Sequence, residues 1–184
     1  MARNFLLTGF GAFLDVKDNP SGALATALDG RVLRCKGVHV QICAKVLDVK
    51  YESVAAETLL AARQINAIGV LGMGVARSAT APRVERTGKA QCDGVTLDAA
   101  GQTRGLLGDV PTLQSAHSEA LATALGLALS DDAGAYVCNA WLYGVLSGMQ
   151  PPARAIPVAF LHVPSSGWDP ELLAAGLGTW ISGF

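Results

Sequence analysis

Short apolar runs alternate with helix-patterned segments along this chain, and that alternation restricts the fold more than any other feature. Phe5-Leu6-Leu7-Thr8 ends in a glycine turn and reads as a buried first strand. Residues 38–46 (VHVQICAKV) read as a second strand, 67–73 (AIGVLGM) as a third and 156–163 (IPVAFLHV) as a late one. Between them lie helical segments. Asn19-Pro20-Ser21 starts one that runs to Leu28 and stops near Gly30. Asp48 or Ser53 caps another that runs through Gln64. Ser115–Leu129, Asn139–Leu146 and Pro170–Ile181 are read as helices, and Ala135–Val137 as a strand tip. Residues 74–112 are rich in Gly, Thr, Asp and Arg, and read as loops and short irregular strands. Strands alternating with helices predict an α/β fold, a three-layer α/β/α sandwich around a mostly parallel, mixed sheet. With 184 residues, a single domain over 1–184 is expected.

Composition removes several function classes. Hydrophobic residues make up 51% and charged residues 16%, so the chain can bury a large core and disorder is excluded. The formal net charge is -1 and no basic block occurs, so no nucleic-acid partner is expected. Residues 133–153 carry no charge, yet Asn139, Ser147 and Gln150 are polar and Pro151-Pro152 stop the run. A buried core segment is the expectation there, and no membrane partner. The start of the chain lacks the apolar core of a secretion signal, so a cytoplasmic location is expected. Two of the four cysteines, Cys35 and Cys43, flank His39 at a spacing of four on each side. On a strand, eight residues span about 26 Å. Two thiolates cannot then share one zinc at about 2.3 Å each, so no metal is expected.

In a parallel sheet, ligands sit outside the carboxyl ends of the strands. Four segments fit that position: Gly9–Phe13, the loop after Met73, the stretch around Cys138, and the strand end carrying His162. Cys138 stands where a helix begins, and a helix N-terminus stabilises a thiolate. A cysteine nucleophile needs a base within hydrogen-bond reach, and the base needs an orienting acid. His162 is the candidate base, and Glu85, Asp93 and Asp98 are candidate acids. Nucleotide binding is disfavoured. The two Gly-x-Gly pairs, at Gly9 and Gly72, have Leu14 and Arg77 where the phosphate-binding fingerprint needs its third glycine. No serine-hydrolase elbow occurs either.

Three motifs in order carry a family resemblance. FLLTGFGAF followed by Asn19-Pro20-Ser21 resembles the opening of the type I pyroglutamyl peptidases, the pyrrolidone-carboxylate peptidases. AGAYVCNAWLYGVL (133–146) resembles that family's nucleophile segment, and FLHVP (160–164) its histidine segment. The resemblance implies a cysteine exopeptidase that removes N-terminal pyroglutamate through a thioester, with no cofactor. It makes Cys138 the nucleophile, His162 the base and Glu85 the acid, with Arg83 the competing occupant of the acid's place. It also implies Phe10 and Phe13 as apolar walls for the ring, with Tyr136, Val137 and Met73 lining the pocket. Met73 stands where the family often has Gln. The implied partners are peptides with N-terminal pyroglutamate, and a second copy in a homodimer or homotetramer. The alternative is a non-catalytic or altered-specificity relative acting on another lactam or amide.

Overall fold

A computed structural model describes residues 3–13, 16–149 and 156–184. Gln150 and Pro151-Pro152, the expected stop of the uncharged segment, lie outside the described residues. The chain runs β1 (Arg3–Phe10), α1 (Pro20–Leu28), β2 (Val32–Cys35), β3 (Val38–Leu47), α2 (Val54–Gln64), β4 (Ala67–Val75), β5 (Arg83–Glu85), β6 (Thr87–Lys89), β7 (Thr112–Gln114), α3 (Ser118–Leu125), β8 (Ala128–Ser130), α4 (Val137–Gly148), β9 (Val158–Val163) and α5 (Pro170–Ile181). A seven-stranded sheet has the order β2-β3-β1-β4-β9-β5-β8. β3, β1, β4 and β9 are parallel neighbours. β2 pairs antiparallel with β3, β5 pairs antiparallel with β9, and β8 runs parallel to β5. The expected α/β/α sandwich around a mixed, mostly parallel sheet is what forms.

The central strands are apolar on both faces because helices cover both. In β1, Phe5 and Leu7 enter one core, and Leu6 and Phe10 the other. The first core is closed by α1, α3 and α5 through Leu24, Leu121 and Leu177. The second is closed by α2 and α4 through Val54, Trp141 and Val145. Helix starts follow their sequence signals. Asn19 caps α1 by accepting from the Ser21 N–H at 3.1 Å, and Asp169 caps α5 by accepting from the Glu171 N–H at 2.8 Å.

Two expectations fail in the segment 115–137. The helix expected through Leu129 ends at Leu125, because Gly126 adopts a left-handed conformation at φ 65°. The chain then forms β8 over Ala128–Ser130. Ala135 and Tyr136 form no strand tip, and Val137 is already helical. Among the described residues, no helix is long and apolar enough to cross a membrane.

Candidate active site

The register of three adjacent strands builds the site. Gly74 of β4 lies opposite His162 of β9, and His162 lies opposite Arg83 of β5. One step back, Gly72, Phe160 and Glu85 form a second row. Residues directly opposite one another share a face, and so do residues two apart on one strand. Arg83, Glu85, Phe160 and His162 therefore all face α4. The Glu85 carboxylate reaches diagonally and accepts a hydrogen bond from His162 Nδ1 on Oε1 at 2.7 Å. The Cys138 thiol stands beside the same ring at the cavity floor, near enough to favour the charge on the imidazole.

Two of the three glycines of β4, Gly72 and Gly74, let α4 approach. A Cβ on Gly74 would stand 2.5 Å from Cys138 Sγ, and one on Gly72 would stand 2.6 Å from the Trp141 ring. The sheet is hollowed on this face, and the thiol occupies the hollow. Trp141 is fixed by donating from Nε1 to Thr58 Oγ1 at 2.8 Å. Asn139, buried beside the nucleophile, accepts from the Lys89 N–H at 2.8 Å and donates to the Lys89 carbonyl at 2.9 Å. The start of α4 is thus locked to β6. Tyr136, its N-cap residue, supplies no side-chain cap. The first backbone N–H groups of α4, that of Cys138 included, are left without intrahelical acceptors.

Burial and charge set the protonation of the central pair. For His162, burial opposes the charge, but the adjacent Cys138 sulfur and the hydrogen-bonded Glu85 carboxylate outweigh it. Its pKa rises from 6.5 to about 9. For Glu85, burial also opposes ionisation, and the imidazole, Ser130 and the Arg83 guanidinium overcome it, holding the carboxyl below its ordinary value. Arg83 Nε donates to the same Oε1 at 2.6 Å. Glu85 Oε2 makes no hydrogen bond of good geometry, and the Ser130 hydroxyl stands near enough to favour the charge.

A cavity of about 280 Å³ opens over Cys138 and His162. Phe10, Phe13, Tyr136 and Val137 line it. The Asn19-Pro20-Ser21 turn holds the two phenylalanines in place. Asn19 donates to the Gly11 carbonyl at 2.9 Å, and Ser21 Oγ accepts from the Phe10 N–H at 3.1 Å. Phe13 is further packed between Tyr136, with ring centroids 6.1 Å apart, and the Arg77 guanidinium 5.4 Å over its ring.

Met73 is a correction. Its side chain is fully buried in the core under α1, α3 and α5, and does not line the cavity. The reason is strand alternation: Gly72 and Gly74 face α4, so Met73 faces away. The other candidate acids are elsewhere too. Asp98 is buried and accepts from the N–H groups of Tyr51, Ala100 and Gln102, which holds the loop beneath Tyr136. Asp93 caps the turn at Val95 and Thr96. The sequence reading missed Asn19, Val49, Ser78 and Asp132 as cavity residues. Val49 comes just after the end of β3, so the strand-end rule could have found it. Asp132 comes just after β8, a strand hidden by the Ala/Leu pattern before it. Among the described residues, no three His, Cys, Asp or Glu side chains gather to hold a metal.

A thiol, an imidazole and a buried carboxylate in line, at the strand ends of an α/β sheet, make a site of the cysteine-hydrolase class. The model of the pyroglutamyl peptidase family matches residues 3–171. The pyrrolidone-carboxylate peptidase of Deinococcus radiodurans is 32% identical over 173 residues, covering 88% of this chain and 78% of that one. That of Saccharolobus islandicus is 29% identical, covering 86% and 78%. Among solved structures, the pyrrolidone carboxyl peptidase of Thermococcus litoralis superimposes with a TM-score of 0.84 at 18% identity, covering 97% of this chain and 91% of that one. Pyroglutamyl peptidase I of Bacillus amyloliquefaciens gives 0.83 at 18%, covering 97% and 94%. The chain belongs to the pyroglutamyl peptidase family.

Proposed function

We propose that this chain is a cysteine exopeptidase that removes N-terminal pyroglutamate from peptides. The observation that carries the reading is the His162 ring held between the Cys138 thiol and the buried Glu85 carboxylate at the floor of a small, mainly apolar cavity. A neutral lactam ring suits Phe10, Phe13 and Tyr136 as walls. In the reaction, the Cys138 thiolate attacks the carbonyl carbon of the pyroglutamyl residue. The oxyanion that forms is stabilised by the N–H groups at the start of α4 that lack intrahelical acceptors, each such donor being worth about 2.7–4 kcal/mol in comparable sites. The C–N bond then breaks as the His162 imidazolium gives its proton to the leaving amine. Water, deprotonated by the now neutral imidazole, attacks the thioester, and pyroglutamate leaves with the thiolate restored. Glu85 orients the ring through Nδ1 and stabilises its charge throughout.

Hydrolysis of a pyroglutamyl-coumarin amide under reducing conditions tests this. Release of the fluorophore by the wild type and none by Cys138→Ala is expected. A folded wild type that releases none overturns the reading. Self-association also belongs to the proposal, supported by the exposed apolar side chains Val95, Leu97, Leu106 and Val110 on one excursion of the chain. Light scattering that finds a monomer at all concentrations would exclude it. Four free cysteines, one of which must stay reduced to react, support a cytoplasmic setting.

A further inference from the structure

The order of strands across the sheet is also an order of subsites. Phe10 ends β1 and faces the α4 side. Next comes β4, where Gly74 seats the Cys138 thiol. Then come β9 with His162 and β5 with Arg83. Neighbouring strands are about 4.8 Å apart. The acyl part of a substrate therefore lies toward Phe10, the scissile bond lies between Cys138 and His162, and the leaving amine faces His162. The residue that carries this amine, the second of the substrate, lies over β5 beside Arg83.

Arg83 is equipped to meet it. Its side chain is 32% exposed and lines the cavity. Its Nε is tied to Glu85 Oε1 at 2.6 Å, which fixes the plane of the guanidinium. Among the described residues, its Nη groups make no hydrogen bond and so keep their donors for a ligand. The one carboxylate that lines the cavity among these residues, Asp132, is paired with Lys89 at 2.9 Å and feels the charge of Arg83 without being hydrogen-bonded to it. A planar fork of fixed orientation is the geometry that takes a carboxylate through paired hydrogen bonds.

We propose that Arg83 is a specificity-determining residue that selects substrates carrying a carboxylate on the residue after pyroglutamate. This rests on the peptidase reading above. The carboxylate has two sources, an acidic side chain or the free α-carboxylate of a pyroglutamyl dipeptide. A second role comes from the same side chain: through Nε, Arg83 positions Glu85.

Three substrates separate the cases: pyroglutamyl-leucine amide, pyroglutamyl-glutamate amide and pyroglutamyl-leucine with its free carboxylate. One or both carboxylate substrates should exceed the neutral amide by about tenfold in kcat/KM, the scale of one charge-assisted contact. The glutamate amide reads the side-chain source and free pyroglutamyl-leucine the terminal one. Arg83→Gln should lower turnover of all three, because Glu85 loses its clamp, and should also erase the ratio between them. Arg83→Lys should keep part of the ratio. Equal rates on all three from the wild type would overturn the specificity proposal while leaving the peptidase standing. A ratio unchanged in Arg83→Gln would overturn it as well. No cleavage of any substrate by the folded wild type would bring down both readings.

Discussion

Met73 and Gly74 are neighbours on β4 and face opposite sides of the sheet. Met73 fills its side with volume, fully buried among the side chains of the core under α1, α3 and α5. Gly74 empties its side, so that Cys138 Sγ occupies the space where a Cβ would stand. The two faces solve different problems. The first needs enough apolar volume and tolerates several ways of supplying it. The second needs a thiol, an imidazole and a carboxylate in fixed register, and tolerates almost nothing added. Substitutions on the two faces should therefore separate stability from turnover.

The largest separation is expected at Cys138. Cys138→Ala should abolish turnover and leave the thermal midpoint close to that of the wild type, since a half-buried thiol contributes little packing. Comparing calorimetry with fluorophore release checks both halves. A variant that loses its fold would place the residue with the packing face instead.

Gly74→Ala comes next. The added methyl meets the thiol and must push it aside, and a displacement of about 1 Å at a reacting group costs on the order of 100-fold in rate. The loss should fall on kcat, with KM little changed, because the ring-binding walls lie beyond the thiol. The fold should lose about 1–3 kcal/mol from overpacking. Alkylation of Cys138 by iodoacetamide should slow in parallel with kcat. If kcat holds at the wild-type value, α4 has room to move and the hollow is not what positions the nucleophile.

Glu85→Gln should act through charge rather than shape. With Glu85 present, the imidazolium persists to about pH 9 against an ordinary 6.5, so the alkaline limb of kcat should fall near pH 9. Removing the carboxylate removes a contribution that raises the value, while burial still lowers it. The limb should then move toward lower pH, with about a tenfold loss of rate at its former plateau. The same shift carries a stability consequence. A raised histidine value adds stability that is fully present below about 6.5 and is lost as the pH climbs through 9. Urea melts across that range should therefore fall more steeply for the wild type than for Glu85→Gln. An unmoved alkaline limb would mean that Glu85 does not govern the imidazole.

Much of this was legible in the residues, and the failures share one cause. The helix α5 begins after Asp169, and α1 after Asn19, because in each a cap side chain and a proline mark a start within a few residues. Cys138 and His162 stand out because a strand end and a helix start are one-dimensional signals. Glu85 was harder. It lies 77 residues from His162 in sequence, and only the antiparallel pairing of β5 with β9 brings them together. Nothing local in the irregular stretch 74–112 announces a three-residue strand. Met73 was misplaced for the complementary reason. Its neighbourhood in sequence was right, but the side a strand residue faces is set by register against partners far away. Asp132 was lost with β8, which an Ala/Leu-rich run conceals until the left-handed turn at Gly126 is seen.

Met73→Leu should have the smallest effect. The residue exchanges one unbranched apolar side chain for a branched one of similar volume, in a core that also holds Leu7, Leu71 and Leu161. Such swaps usually cost below about 1.5 kcal/mol. Turnover per folded molecule should be unchanged, since no atom of the side chain enters the cavity. Met73→Ala sharpens the point: the void it leaves should cost about 2–5 kcal/mol and still leave kcat and KM of the folded fraction as they were. Met73→Gln tests the position against the polar residue frequent there in the family. On this face a carboxamide would be buried without a partner, at a cost of about 1–3 kcal/mol, and would bring no group to the ring. If any of the three changed KM for a pyroglutamyl substrate, the two faces of β4 would be coupled through the strand itself, and the division between packing and chemistry drawn from Gly74 would not hold.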